Sequence, residues 1–148
     1  MQQHEEELGP IDIIVIAYPA DAPMTGEAVP LFMDLISRGI VRVLDVMFVI
    51  KNEDGTFSGF DATDLDDQSV GDFNAFSGAS SGLLGDDDAA TAAEALDPGS
   101  AAVLLVYENR WAAPLFEAVH RNGGTVVGSQ RIDTMALLDA LEAAEARA

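Results

Sequence analysis

The apolar positions of the chain fall into blocks of two periods, and the period assigns the elements. Ile11–Tyr18 is apolar everywhere except at Asp12, the pattern of a strand buried on both faces. Within residues 26–38, Val29, Phe32, Met33, Leu35 and Ile36 recur at helical spacing, which predicts an amphipathic helix. Residues 40–51 form a second strand, interrupted by Arg42 and Asp45; those charges suit an edge position. Asn52, Glu53, Asp54 and Gly55 signal a turn, after which residues 56–60 return as a short strand. A short alanine-rich helix is expected over 89–96, capped by Asp87 or Asp88 and stopped before Pro98.

Residues 98–132 read without strain as strand, helix, strand. The run 101–107 is wholly apolar, the helix 110–122 offers Trp111, Leu115, Phe116 and Val119 for burial, and 125–131 alternates as an edge strand should. Asp133 then caps a terminal helix that carries Met135, Leu137, Leu138 and Leu141, with Asp139, Glu142 and Glu145 on its charged face.

The first part of the chain repeats this block. Asn109, Pro114, Leu115, Phe116 and Gly123 match Thr25, Pro30, Leu31, Phe32 and Gly39 at one constant offset, and each block follows an apolar run ending in tyrosine, Tyr18 and Tyr107. Thr or Asn can accept hydrogen bonds from the free amides of a helix start, and glycine suits the left-handed turn after a helix end. Pro30 and Pro114 are awkward if the helices begin at those caps, because proline is comfortable only in a first turn. Either the helices begin later, or they kink.

The order of elements predicts an α+β fold: a ferredoxin-like sandwich of two pseudo-symmetric βαβ repeats, with an acidic insertion and an extra C-terminal helix. Residues 1–9 are expected to be a disordered acidic tail, 10–132 the domain (repeat one 10–51, insertion 52–97, repeat two 98–132) and 133–148 the last helix. In such a sheet the strands 11–18 and 101–107 are central. Helices cover one face, so the apolar side chains of the other need the terminal helix, the insertion or a second copy; sheet-to-sheet pairing with a second copy is the expectation.

Composition narrows the function classes. The 148 residues are 49% hydrophobic, enough for one domain with a real core. Cysteine is absent, which removes disulfides, thiolate metal sites and cysteine nucleophiles and fits a reducing cytoplasm. The start MQQHEEELGP is acidic where a secretory leader would be basic and then apolar. No run reaches the ~18 to 20 apolar residues of a membrane span. Twenty-six acidic against seven basic residues give a net charge of −19, a field that repels phosphate backbones and anionic lipid and leaves a basic protein as the electrostatically favoured partner.

The densest cluster of functional side-chain types is Glu108, Asn109, Arg110 and Trp111. Structurally, Asn109 would cap the following helix, Glu108 would favour its positive end and Trp111 would anchor in the core; functionally, the four would contact a ligand or partner. His120 is either a partly buried helix residue or a proton-transfer group facing a cleft between the repeats. The acids Asp61, Asp64, Asp66 and Asp67 lack the glycine and closing glutamate of a calcium loop, and the Asp86, Asp87, Asp88 triple is a solvated run. Gly78–Gly82 has no following lysine and matches no phosphate loop. The sequence therefore calls for no cofactor, no metal and no catalytic residue.

The phrases LGPIDIIVIAYP, RGIVRVLDVMFVIKNEDG, LDPGSAAVLLVYENRWAAPL and NGGTVVGSQRI resemble an uncharacterised family of small acidic proteins from high-GC bacteria. A more distant likeness is to a second uncharacterised family, associated with membranes and stress, in which an acidic-glycine turn precedes a long glycine-rich apolar hairpin; here the short segment 73–85 stands in its place. Neither resemblance implies an activity. The expectation is a non-enzymatic oligomeric binding or regulatory module, a homodimer or larger. The alternatives are a small enzyme or small-molecule binder using a cleft between the repeat halves, and an acidic adaptor for a basic protein.

Overall fold

The wholly apolar run that ends in Tyr107 is the middle of the sheet. In the computed structural model, which describes residues 8–23, 25–61 and 81–147, the elements of the first part are β1 (Ile11–Tyr18), α1 (Ala28–Ser37), β2 (Arg42–Lys51), β3 (Phe57–Asp61), α2 (Asp86–Glu94) and β4 (Ala101–Glu108). A 3-10 turn at Arg110–Ala112 leads into α3 (Ala113–Arg121), and α4 (Thr134–Arg147) follows. The strands make one antiparallel sheet of order β1-β4-β2-β3. The chain is thus α+β, and it divides into two compact units, Met1–Ala118 and Val119–Ala148.

Each face of the sheet has its own core. On one, Val46, Phe48, Val103 and Leu105 meet Val29, Phe32, Met33 and Ile36 of α1. On the other, Met47, Val49, Ala102, Leu104 and Val106 meet Leu84 and the alanines of α2, Ala89, Ala92 and Ala93. Val46, Val49 and Leu104 are almost completely buried, and each such side chain stabilises the fold by about 1.5–3 kcal/mol. The second face is therefore covered from within the insertion, by α2, and stacking on another sheet is not needed over β2, β3 and β4. The only lysine helps hold this cover, because Lys51 Nζ donates to the carbonyls of Ala93 and Leu96, both at 3.0 Å, at the negative end of α2. At the other end the Asp88 carboxylate accepts the Gly85 amide at 2.9 Å.

Three strand expectations need correcting. Residues 125–131 form no strand; their alternation is broken by Gly128, which lacks a side chain to pack and weakens a strand interior. Consequently β1 stands at an edge, while β4 and β2 are interior. The charges of β2 are not edge markers either. Asp45 lies at a β-bulge between Val43 and Asp45, where its buried carboxylate accepts the amides of Val46 at 3.0 Å and Leu84 at 2.8 Å. Arg42 pairs with Glu108.

The proline question is resolved by helix starts later than Thr25 and Asn109: α1 begins at Ala28 and α3 at Ala113, which puts Pro30 and Pro114 in first turns. Thr25 Oγ1 still accepts the Glu27 amide at 3.3 Å. Gly39 and Gly123 follow their helices with φ of 73° and 86°, as the left-handed exit requires. In the second unit, Asp133 does cap α4, its carboxylate accepting the Met135 amide at 3.2 Å. Every residue from 121 to 147 is exposed, Leu137, Leu138 and Leu141 included. The acidic tail over 1–7, the acids Asp64, Asp66 and Asp67, and the aromatics Phe73 and Phe76 lie outside the described residues.

Candidate functional site

The sequence cluster at the end of β4 does come together, in a network that ties down the chain. Glu108 is completely buried. Its Oε2 accepts the backbone amide of Gly9 at 2.8 Å and Arg110 Nη1 at 3.1 Å, and Arg42 Nη2 lies 2.9 Å from Oε1. That second oxygen has no aligned hydrogen bond, so Arg42 holds it by charge alone. Burial pushes the Glu108 carboxyl up, but the Gly9 amide, the Arg110 bond and the two guanidinium charges outweigh it and leave the group below its ordinary range. A carboxyl held ionised between two arginines anchors structure and is a poor proton donor or acceptor near neutral pH.

Asn109 and Trp111 differ from expectation. Asn109 makes no side-chain cap; its Nδ2 donates to the Pro10 carbonyl and to the Asp12 carboxylate, both at 2.9 Å. Its Oδ1 accepts Trp111 Nε1 at 3.3 Å. Trp111 is 60% exposed and Leu115 is also exposed, because the 3-10 turn, fixed by the Trp111 amide on the Ile40 carbonyl at 3.1 Å, buries Ala112 instead. His120 is exposed and belongs to the second unit. Sequence reading missed Gly9, Asp12 and Arg42 as partners of this cluster. The signal was present in the lone charges of otherwise apolar strands, which fold only when something satisfies them.

Beside the network, between α1 and the sheet, lies a pocket of about 320 Å³. Its floor is Ile14, Ile16, Val46, Val103 and Leu105; α1 contributes Ala28, Val29, Phe32 and Leu35; Tyr18, Tyr107 and Asn109 are the polar residues of the lining. Phe32 and Tyr107 meet edge to face, with ring centroids 6.2 Å apart at 79°. No ionisable acid, lysine, arginine or histidine lines the space.

The third feature is the free side of β1. The strand pairs with β4 through its whole length, and among the described residues nothing pairs with its outer edge. Ile13 and Val15, each 53% exposed, lie in register with Val106 and Leu104 on the α2 side of the sheet. The α2 core includes residues of β2 and β4 but none of β1.

A family model of unknown function, DUF6325, matches residues 7–146. The chain belongs to DUF6325. Neither a curated protein nor a solved structure matches it. The DUF6325 match takes in both units, so the Glu108 network, the pocket and β1 all lie within the family's span. In this DUF6325 chain, among the described residues, no group of three or more His, Asp or Glu is placed to hold a metal ion, and no helix is long and apolar enough to cross a membrane.

Proposed function

We propose that the protein is a non-enzymatic homo-oligomeric binding module that assembles through the outer edge of β1, the sheet of one copy running on into the sheet of a second. The observation that carries this reading is the apolar edge of β1, unpaired among the described residues. The two edges of the sheet are unlike. β3 is five residues long and carries Ser58, Gly59 and Asp61, next to the acidic turn residues Glu53 and Asp54; such an edge resists pairing. β1 has eight residues, no proline or lysine and one charge, Asp12, whose carboxylate already accepts Asn109.

A second copy is the partner that fits, because β1 complements itself. A two-fold antiparallel register centred on Ile14 or Val15 sets Ile13 beside Val15 or Ala17, and it keeps the two Asp12 carboxylates at opposite ends of the joint. A chain of net charge −19 repels its own copies, and that repulsion is weakest over a neutral stretch such as β1. In this reading β1, α1 and β2, with β4 inserted between the strands, keep a ferredoxin-like arrangement in which only the first repeat is a complete βαβ unit, and the module works in the cytoplasm.

Light scattering on the full chain between micromolar and millimolar concentration tests the reading. The expected mass is twice the 15.6 kDa of one chain; a mass of one chain throughout that range would refute it.

A further inference from the structure

We infer that the association through β1 is controlled by ionic strength: the chains stand apart in dilute salt and join as monovalent salt screens their charge. This control rests on the β1 association proposed above and names what regulates it.

The acidic charge is placed to act on the joint from a distance. Among the described residues at the start of β1 the charges balance, because two acids, Asp12 and the buried Glu108, are matched by Arg42 and Arg110, both paired with Glu108. The excess lies elsewhere. Asp86, Asp87, Asp88 and Glu94 belong to α2, which packs on β2 and β3, and Glu53 and Asp54 stand in the turn before β3. β2 and β3 are the second and third strands from β1, ~10 and ~14 Å away at about 4.8 Å per strand. The second copy, beyond β1, is further still.

That spacing decides what salt does. The Debye length is ~30 Å at about 0.01 M, so in dilute salt the acids of the β2–β3 half reach across the joint, and the whole −19 of each chain opposes pairing. At about 0.15 M the Debye length is ~8 Å, shorter than the distance from β1 to those acids. The field left at the joint is then that of its own groups, whose charges balance. Screening has nothing to weaken in return. β1 is apolar but for Asp12, so the joint is held by backbone hydrogen bonds and apolar contact rather than by ion pairs.

The test is the dimerisation Kd of the full chain, measured by sedimentation equilibrium in NaCl and in KCl from about 0.02 to about 1 M. Kd is expected to fall at least about a hundredfold between ~0.02 and ~0.3 M, with most of the change in that range and the same course in both salts. A variant carrying Glu27→Lys, Glu94→Lys and Glu145→Lys, all at exposed positions, takes the net charge from −19 to −13 by three reversals of two units each. Repulsion between two copies grows with the square of their charge. The fall in log Kd over the same salt range should therefore shrink to about half of the parent's, the squared ratio of 13 to 19. Three results would overturn the control by screening while leaving the association standing: a Kd indifferent to salt, a Kd that falls chiefly above ~0.3 M as salting-out of an apolar surface does, or a response to one cation and not the other. An undiminished salt dependence in the triple variant would overturn it too. A mass of one chain at every salt concentration would overturn both the control and the association.

Discussion

The backbone amide of Gly9 donates a 2.8 Å hydrogen bond to Oε2 of Glu108, joining a residue two positions before β1 to the last residue of β4. Only glycine fits there, since a Cβ at position 9 would collide with the carbonyl oxygen of Asn109. The bond matters more than the two ion pairs around it. Arg42 is half exposed and Arg110 about a third exposed, so both regain water if Glu108 is lost, whereas the Gly9 amide is buried with its acceptor. Glu108→Ala is expected to lower stability by about 2–4 kcal/mol and Arg42→Ala by less than ~1 kcal/mol. Urea unfolding checks both, and an Arg42→Ala loss as large as that of Glu108→Ala would show that charge pairing governs the network.

The same carboxyl sets a pH dependence. Its folded pKa lies below the ordinary value, with burial opposing and the Gly9 amide leading the stabilising causes. A group depressed in the folded state contributes stability that is fully present above its unfolded pKa of ~4.3 and is lost as pH falls through the folded value. The stability difference between the parent and Glu108→Gln should therefore stay constant from neutral pH to ~5 and shrink below ~4.3. Paired urea titrations across that range measure it; a difference that widened on acidification would reverse the sign and the explanation with it.

What was legible in the sequence depended on whether a residue's partner was local. The apolar period of β1, α1 and β4, the turn at 52–55, and Asp133 as the cap of α4 are all decided within a few residues, and they stand where expected. Edge and centre are decided by strands far away in the chain. β1 is as apolar as β4, yet one lies at the margin and the other in the middle, because the segment expected beyond β1, residues 125–131, takes no strand. The charged residues misled for the same reason. Asp45 and Arg42 looked like edge charges because nothing near them in sequence shows that Leu84 and Glu108 are their partners. The Glu108–Trp111 cluster was found as a cluster, but its role could not be read without Gly9 and Asp12, which stand 99 and 97 residues before the groups they bond. The pocket was not legible at all, since Ile14, Phe32 and Leu105 look like ordinary core.

Asp45 gives a separable prediction about the insertion. Its two oxygens hold the Val46 and Leu84 amides at 3.0 and 2.8 Å, and next to it the Leu44 carbonyl accepts Ser81 at 3.2 Å. Leu84 is buried in the α2 core, so Asp45 fixes where the insertion returns to the sheet. Asp45→Ala strands two buried amides and should cost about 2–3 kcal/mol, while Asp45→Asn keeps one acceptor and should cost about half as much. Hydrogen exchange gives the sharper readout. Protection should fall first at Leu84 and through α2, with the β1–β4 ladder unchanged; an even loss over the whole sheet would mean that Asp45 supports the bulge and not the return of the insertion.

The β1 edge can be tested without disturbing the core. Val15 is 53% exposed, so Val15→Lys should change the stability of the single chain by no more than ~0.5 kcal/mol. At a two-fold joint centred on Ile14 or Val15, however, each lysine faces an apolar strand or the other copy's lysine, and both arrangements oppose pairing. The expected outcome is a fall in light-scattering mass to 15.6 kDa with circular dichroism unchanged. Ser58→Lys, exposed on β3 at the opposite edge, adds the same charge to the same acidic protein and should leave the mass at two chains. Because both variants relieve the net negative charge equally, any difference between them comes from position and not from global electrostatics. A mass that fell for Ser58→Lys but not for Val15→Lys would move the joint to β3, and the unlike protection of the two edges would then need another cause.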